Sequence, residues 1–381
     1  MRRSISERPL WRWRFNRSTV CCIPFSSPSI DRFRRLPRIQ PPRLEAAGGD
    51  AATGECYNNL MKIAVIEPLG LPRNVLEEHF RALADRGHQI TYYDDRPPSS
   101  AETIRRLDGV DGAVIANMPF PRDVIEAARS LRFLSVAFTG VNHIDLDACR
   151  ERGIGVSNAA GFSTESVAEL TVAVIISLLR SIVPGDAALR SGGTNAGLFG
   201  RELHGKTVGI IGTGAIGRCV ARLLAAFGVR LMGYNRTQYP EMVELGMQYL
   251  SLEALLAASD IVTLHVPLTD QTRALISGTR IAEMKHGAYL VNMARGAVVD
   301  SAALAAALKE GRLAGAGIDV YETEPPIDST HPLLSAPNTV LLPHVAFGTR
   351  ESFEKRATIV ADNLQSWIDG AQRRVILPLS D

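Results

Sequence analysis

From Met61 onward, short apolar runs alternate with amphipathic segments. KIAVIEP (62–68) reads as a buried strand, followed by a helix near 73–86. HQITYYD (88–94), GAVIAN (112–117), LSVAFTG (134–140) and GIGVSN (153–158) supply four more strands. Helices are expected between them near 101–107, 122–130 and 145–152. Strands alternating with helices predict a parallel sheet covered on both faces. A long helix over about 164–181 then starts from FSTESVAEL, with Ser163 or Thr164 as its cap. Its second half is apolar all round, which suits burial between domains or a contact between two copies of the chain.

A second alternation begins with TVGIIG (207–212) and a helix over 215–227. Further strands are predicted at 229–235, 260–266, 288–294, 314–320 and 338–344, with helices at 252–259 and 300–310. A final helix near 349–371 has a charged face and is expected to return to the first sheet. The fold class is therefore α/β, with two doubly wound parallel-sheet domains.

Charge is spread unevenly along the 381 residues. The formal net charge is +2, but residues 1–60 hold 11 Arg and 5 acids, leaving 31 bases and 35 acids for the rest. That first stretch is rich in Arg, Pro and Ser and has no apolar period. It resembles a mitochondrial transit peptide in part, yet its prolines oppose a long amphipathic helix. A disordered leader, or sequence upstream of the true start, is the plainer expectation. The mildly acidic body gives no reason to expect nucleic acid or an anionic membrane as partner. The most apolar stretch, Val172 to Leu179, falls far short of the ~20 residues that span a bilayer. Five cysteines form no C-x-x-C pair, so neither a disulfide framework nor a metal site is expected. A cytoplasmic protein fits these features.

The chemistry starts at Gly212, Gly214 and Gly217 in TVGIIGTGAIG. A G-x-G-x-x-G turn between a strand and a helix marks a dinucleotide site. The first glycine permits the tight turn, the second admits the pyrophosphate, and the third allows close packing of helix on strand. About twenty residues on, where an acid usually meets the ribose hydroxyls, stand Asn235, Arg236 and Thr237. An Arg beside a hydroxyl suits a 2′-phosphate, so the expected cofactor is NAD(P), leaning to NADP(H).

Three residues at successive strand ends follow. Arg295, in NMARGAVVD, offers a guanidinium suited to a carboxylate. His344, in LLPHVAFGT, is the natural acid/base. Glu324, in IDVYETEPP, would favour the protonated imidazole if paired with it. Together they suit hydride transfer between a nicotinamide and the C2 carbon of a 2-oxo acid. His286 lacks such context and reads as a surface residue, while His265 suits either the cofactor pocket or the core.

GTGAIG, SDIVTLHVPLTDQTRALI, VNMARGAVVD, AGAGIDVYETEP and LPHVAFGT closely resemble the D-isomer-specific 2-hydroxyacid dehydrogenase family. The resemblance runs from about 61 to 372. It implies a Rossmann domain (161–345) inserted in a discontinuous flavodoxin-like substrate domain (61–160 and 346–376). It also implies catalytic roles for Arg295, Glu324 and His344. Cofactor contacts would fall on Ala215, Ile216, Pro267, Thr272, Ala294 and Asp319, besides the turn glycines. Backbone near Gly140 and Val141 would bind the substrate carboxylate, and a homodimer with active sites between lobes is expected. Substrates implied are small 2-oxo acids such as glyoxylate or hydroxypyruvate, or 3-phosphoglycerate. A nucleotide-sensing relative of the corepressor type, without significant turnover, is the competing reading.

Overall fold

The computed structural model describes residues 60–324 and 326–379. The stretch expected to be a leader lies outside them apart from Leu60. Two sheets organise the rest. The first contains β1 (Lys62–Val65), β2 (Gln89–Tyr92), β3 (Gly112–Ile115), β4 (Phe133–Val136) and β5 (Gly155–Ser157). The second contains β6 (Thr207–Ile211), β7 (Arg230–Tyr234), β8 (Gln248–Tyr249), β9 (Ile261–Leu264), β10 (Ala288–Asn292), β11 (Leu313–Ile318) and β12 (Thr339–Leu341). A last strand, β13 (Val375–Leu377), returns to the first sheet.

The strand orders are β13-β5-β4-β3-β1-β2 and β12-β11-β10-β9-β6-β7-β8. Both reverse direction beside their first strand, between β1 and β3 and between β6 and β9. Such switch points leave a crevice outside the C-terminal strand ends. Every position of β3, β4, β6 and β9 is buried, as expected of parallel strands covered on both faces.

Helix Arg73–Asp85 buries Leu76, Phe80 and Leu83, one stripe of a 3.6-residue period. Helix Arg350–Ile368 begins with a capping box between Thr349 and Ser352 and lies beside it. Its Trp367 stacks on Phe133 of β4 with ring centres 5.1 Å apart. Gly112 makes room, since a Cβ there would stand 2.8 Å from the Trp367 ring. The chain thus returns to the first sheet as its charged-face pattern suggests.

Two expectations need correction. The helix expected over 164–181 ends at Leu179, and a second helix, Ile182–Arg190, leaves it at 60°. Ser181 lies between them with φ +50°, a left-handed conformation that cannot continue an α-helix. The first sheet is also not wholly parallel, because β13 runs antiparallel to β5. It covers what would otherwise be an open edge. Helices Pro240–Glu244 and Gly278–Glu283 and strand β8 had no counterpart in the sequence reading. Among the described residues, no single helix is long and apolar enough to cross a membrane.

Candidate active site

The glycine turn follows β6, and each glycine answers a different constraint. Gly212 has φ +93°, and a Cβ there would stand 2.6 Å from the His265 carbonyl oxygen. At Gly217 a Cβ would fall 2.0 Å from the Gly212 oxygen, so helix and turn touch directly. Gly214 caps helix Ala215–Ala225, and a Cβ there would meet nothing within 4 Å. Open space at a helix N-terminus is what a pyrophosphate requires, so the residues present fit a dinucleotide.

Two cavities meet at Pro267, and one of them reaches Ile216 beside this turn. One, of about 430 Å³, is lined by Asn235, Arg236, Pro267 and Thr272, with Tyr234 and Leu275. Thr272 Oγ1 donates to the Pro267 carbonyl at 2.6 Å and accepts from the Thr269 amide at 2.8 Å. That turn holds Pro267 in place. Asn235 Nδ2 donates to the Thr237 carbonyl at 2.7 Å, and Thr237 itself does not border the cavity. The other cavity, of about 320 Å³, is lined by Ile216, His265, Pro267, Ala294, Arg295, Asp319 and His344. Pro267 borders both. Ala215, exposed on the first turn of its helix, borders neither.

Arg295 sits just past β10 on a loop tied down by a buried side chain. Asn292 Nδ2 donates to the Arg295 carbonyl at 2.9 Å, while its Oδ1 accepts the Ala294 amide at 3.0 Å. The guanidinium crosses to the first lobe. Its Nη2 lies 2.6 Å from where a Gly140 Cβ would be, so only glycine leaves it room. Burial pushes the Arg295 guanidinium below its ordinary value, opposed by the Glu324 carboxylate. Val141 borders neither the 320 Å³ cavity nor the larger one described next, and packs instead against the apolar core around Ile144.

His344 Nδ1 and Glu324 Oε2 are 2.5 Å apart. With Nδ1 so engaged, Nε2 is the nitrogen available for proton exchange. His344 has φ +57°, and the loop that holds it there is built around Asp319. Asp319 Oδ1 accepts the Val345 amide at 2.8 Å and Oδ2 the Ala346 amide at 3.0 Å. Burial pushes the Asp319 carboxyl up, while those two amides and His344 pull it down. A third space, of about 560 Å³, shares Gly140, Asn142, Arg295 and His344 with the second cavity and adds Glu324, Arg96, Asn117 and His143.

Several bordering residues were not foreseen. Phe138, Phe162 and Phe347 form an aromatic cluster beside the 320 Å³ cavity, Phe138 and Phe347 also border the third space, and Phe347 is edge-on to the His344 ring at 5.7 Å. Nothing in their spacing marks them, because three distant segments supply them. His265 borders the cavity, with Nε2 3.0 Å from Thr263 Oγ1 and Nδ1 buried without a partner among the described residues. Burial lowers its pKa to about 3, so it is neutral at physiological pH. His286 is exposed.

Residues 172–346 match the model of the D-isomer specific 2-hydroxyacid dehydrogenase, NAD binding domain. A glyoxylate reductase of Thermofilum pendens is 40% identical over 284 residues, which are 72% of this chain and 84% of that protein. The solved glyoxylate reductase from Paecilomyes thermophila is 30% identical with a TM-score of 0.75, covering 84% of this chain and 98% of its own. An acyclic imino acid reductase, solved with NADPH and D-Arg, is 29% identical with a TM-score of 0.75 over 83% of this chain and all of that one. On the strength of this likeness along both lobes, the chain belongs to the D-isomer specific 2-hydroxyacid dehydrogenase family.

Proposed function

We propose that this NAD-dependent 2-hydroxyacid oxidoreductase interconverts small 2-oxo acids, of the glyoxylate or hydroxypyruvate kind, with their D-2-hydroxy acids. Its residue roles follow from one observation. The His344–Glu324 contact of 2.5 Å lies on the wall of a cavity that Arg295 also borders.

Arg295 binds the substrate carboxylate and polarises the neighbouring carbonyl, as a buried guanidinium can. Glu324 holds His344 Nδ1, so that Nε2 delivers a proton to the oxygen on C2 during reduction and takes it back during oxidation. Asp319 fixes the loop behind the imidazole. When bound, the nicotinamide ring supplies or accepts the hydride at C2. Gly140 admits the guanidinium, and the phenylalanine cluster keeps water from the reacting carbon.

Cofactor contacts are assigned to Gly212, Gly214, Ala215, Ile216 and Gly217 at the pyrophosphate, and to Pro267, Thr272, Ala294 and Asp319 along the cleft. Arg236 and Asn235 favour NADP(H), because an exposed guanidinium attracts a 2′-phosphate that a carboxylate would repel. The substrate domain comprises 61–160 and 346–376, around a cofactor domain of 161–345. Ile182, Val183, Leu189 and Phe199 expose apolar surface on and after the bent helix pair, which supports a homodimer.

Steady-state rates with NADPH and NADH against a panel of 2-oxo acids test the proposal. Turnover of glyoxylate or hydroxypyruvate, with higher kcat/KM for NADPH, is expected. A clear NADH preference would remove the role given to Arg236. Tight cofactor binding without turnover of any acid would instead fit a nucleotide-sensing scaffold.

A further inference from the structure

The largest of the three spaces carries a second guanidinium that the chemistry above leaves unused. Arg96 follows β2 and borders the same 560 Å³ as Arg295, Glu324 and His344. Its Nη2 donates to the Asn117 carbonyl at 3.2 Å. Its Nε stands 3.9 Å from Oε2 of Glu67, beyond hydrogen-bond length. Glu67 is buried, and its Oε1 already accepts the amides of Ala116 at 2.7 Å and Met118 at 2.9 Å. One buried carboxylate thus fixes the loop bearing Asn117 and steadies Arg96 without occupying its donors. Among the described residues no hydrogen bond uses Arg96 Nη1, and 51% of the side chain is exposed.

The same wall holds His143, whose Nε2 is buried without a partner among the described residues. Burial lowers its pKa to about 4, with the Arg96 charge adding to that effect, so the ring is neutral. Among the described residues Glu324 is the one acid lining this space, and it holds His344, while Glu67, the acid paired with Arg96, is already engaged by two amides. A monocarboxylic acid needs one guanidinium for its single carboxylate, yet this space presents two.

We propose that Arg96 determines specificity by selecting 2-oxo acids that carry a second anionic group, carboxylate or phosphate, beyond C2. The inference rests on the reading that Arg295 holds the C1 carboxylate and His344 serves the C2 oxygen. A guanidinium fork suits either anion.

The test compares hydroxypyruvate, whose third carbon is neutral, with oxaloacetate and with 3-phosphohydroxypyruvate. The wild-type protein is expected to show a lower KM for at least one dianion, and the two dianions separate carboxylate from phosphate recognition. Arg96→Gln should raise that KM about tenfold or more, with Arg96→Lys recovering part of the loss. Hydroxypyruvate kinetics and Tm should change little in both variants. Equal KM increases for all acids, or a fall in Tm, would mean that Arg96 only braces Glu67 and would overturn the proposal. So would a wild-type protein that prefers hydroxypyruvate to both dianions. If the wild-type protein reduces none of the acids with either cofactor, the parent reading fails and this one falls with it.

Discussion

The cavity beside Arg236 and the cavity around His344 are built on opposite plans. Arg236 is exposed, and no hydrogen bond or ion pair among the described residues involves it. Its neighbours are a turn threonine and an asparagine bonded to its own loop. Around His344 the backbone is clamped by side chains. Asp319 clamps two amides, Asn292 clamps two backbone groups, and Glu324 holds the imidazole. One end is solvated and adjustable, whereas the other is fixed before any ligand arrives. Preorganised polar groups are what charge development at a reacting carbon requires. Recognition of a distant phosphate asks only for a nearby charge.

This contrast sets a ranking of expected losses. His344→Ala should lower kcat by about 10²- to 10⁴-fold, the usual worth of a positioned acid/base. Cofactor affinity, read by fluorescence titration of NAD(P)H, should stay near the wild-type value. A kcat close to wild type would contradict the assignment.

Gly140→Ala probes the rigid end from the other lobe. The added methyl would stand 2.6 Å from Arg295 Nη2, so the guanidinium must shift. A displacement of this size should cost about 10- to 100-fold in kcat/KM for a 2-oxo acid. Tm should hardly move, because the methyl displaces a side chain and not the fold. If activity survives intact, Arg295 is not the carboxylate anchor.

Arg236→Ala should have the smallest effect. We expect about a tenfold rise in KM for NADPH, with kcat and the KM for NADH nearly unchanged. Loss of kcat in this variant would show that the two ends are coupled more tightly than their construction suggests.

The sequence made the rigid end more legible than the adjustable one. Arg295 and His344 each follow an apolar strand, Glu324 follows another, and parallel strands deliver their C-terminal ends to one crevice. The glycine spacing likewise has only a few structural solutions. Arg96 was invisible because its place depends on Glu67 and Asn117, brought together from three loops by the sheet. Helix Ile182–Arg190 is hard to read because Pro184 and Gly185 stand in its first half. β13 is too short for a period to register, and its pairing with β5 joins residues more than two hundred positions apart.

The Asp319 clamp has a consequence for how the lobes work. Val345 and Ala346 are bound to the cofactor lobe, yet Phe347, one residue later, packs against Phe138 of the other lobe. Phe347 itself touches the cores of both lobes, so the passage from one to the other begins there. Under the proposed division of the chain, a rotation of one lobe against the other would flex it here, just beyond the imidazole proposed to donate the proton, and at the earlier crossing near residue 160. On the proposed roles the imidazole would keep station with the hydride carrier, and the substrate would travel to it.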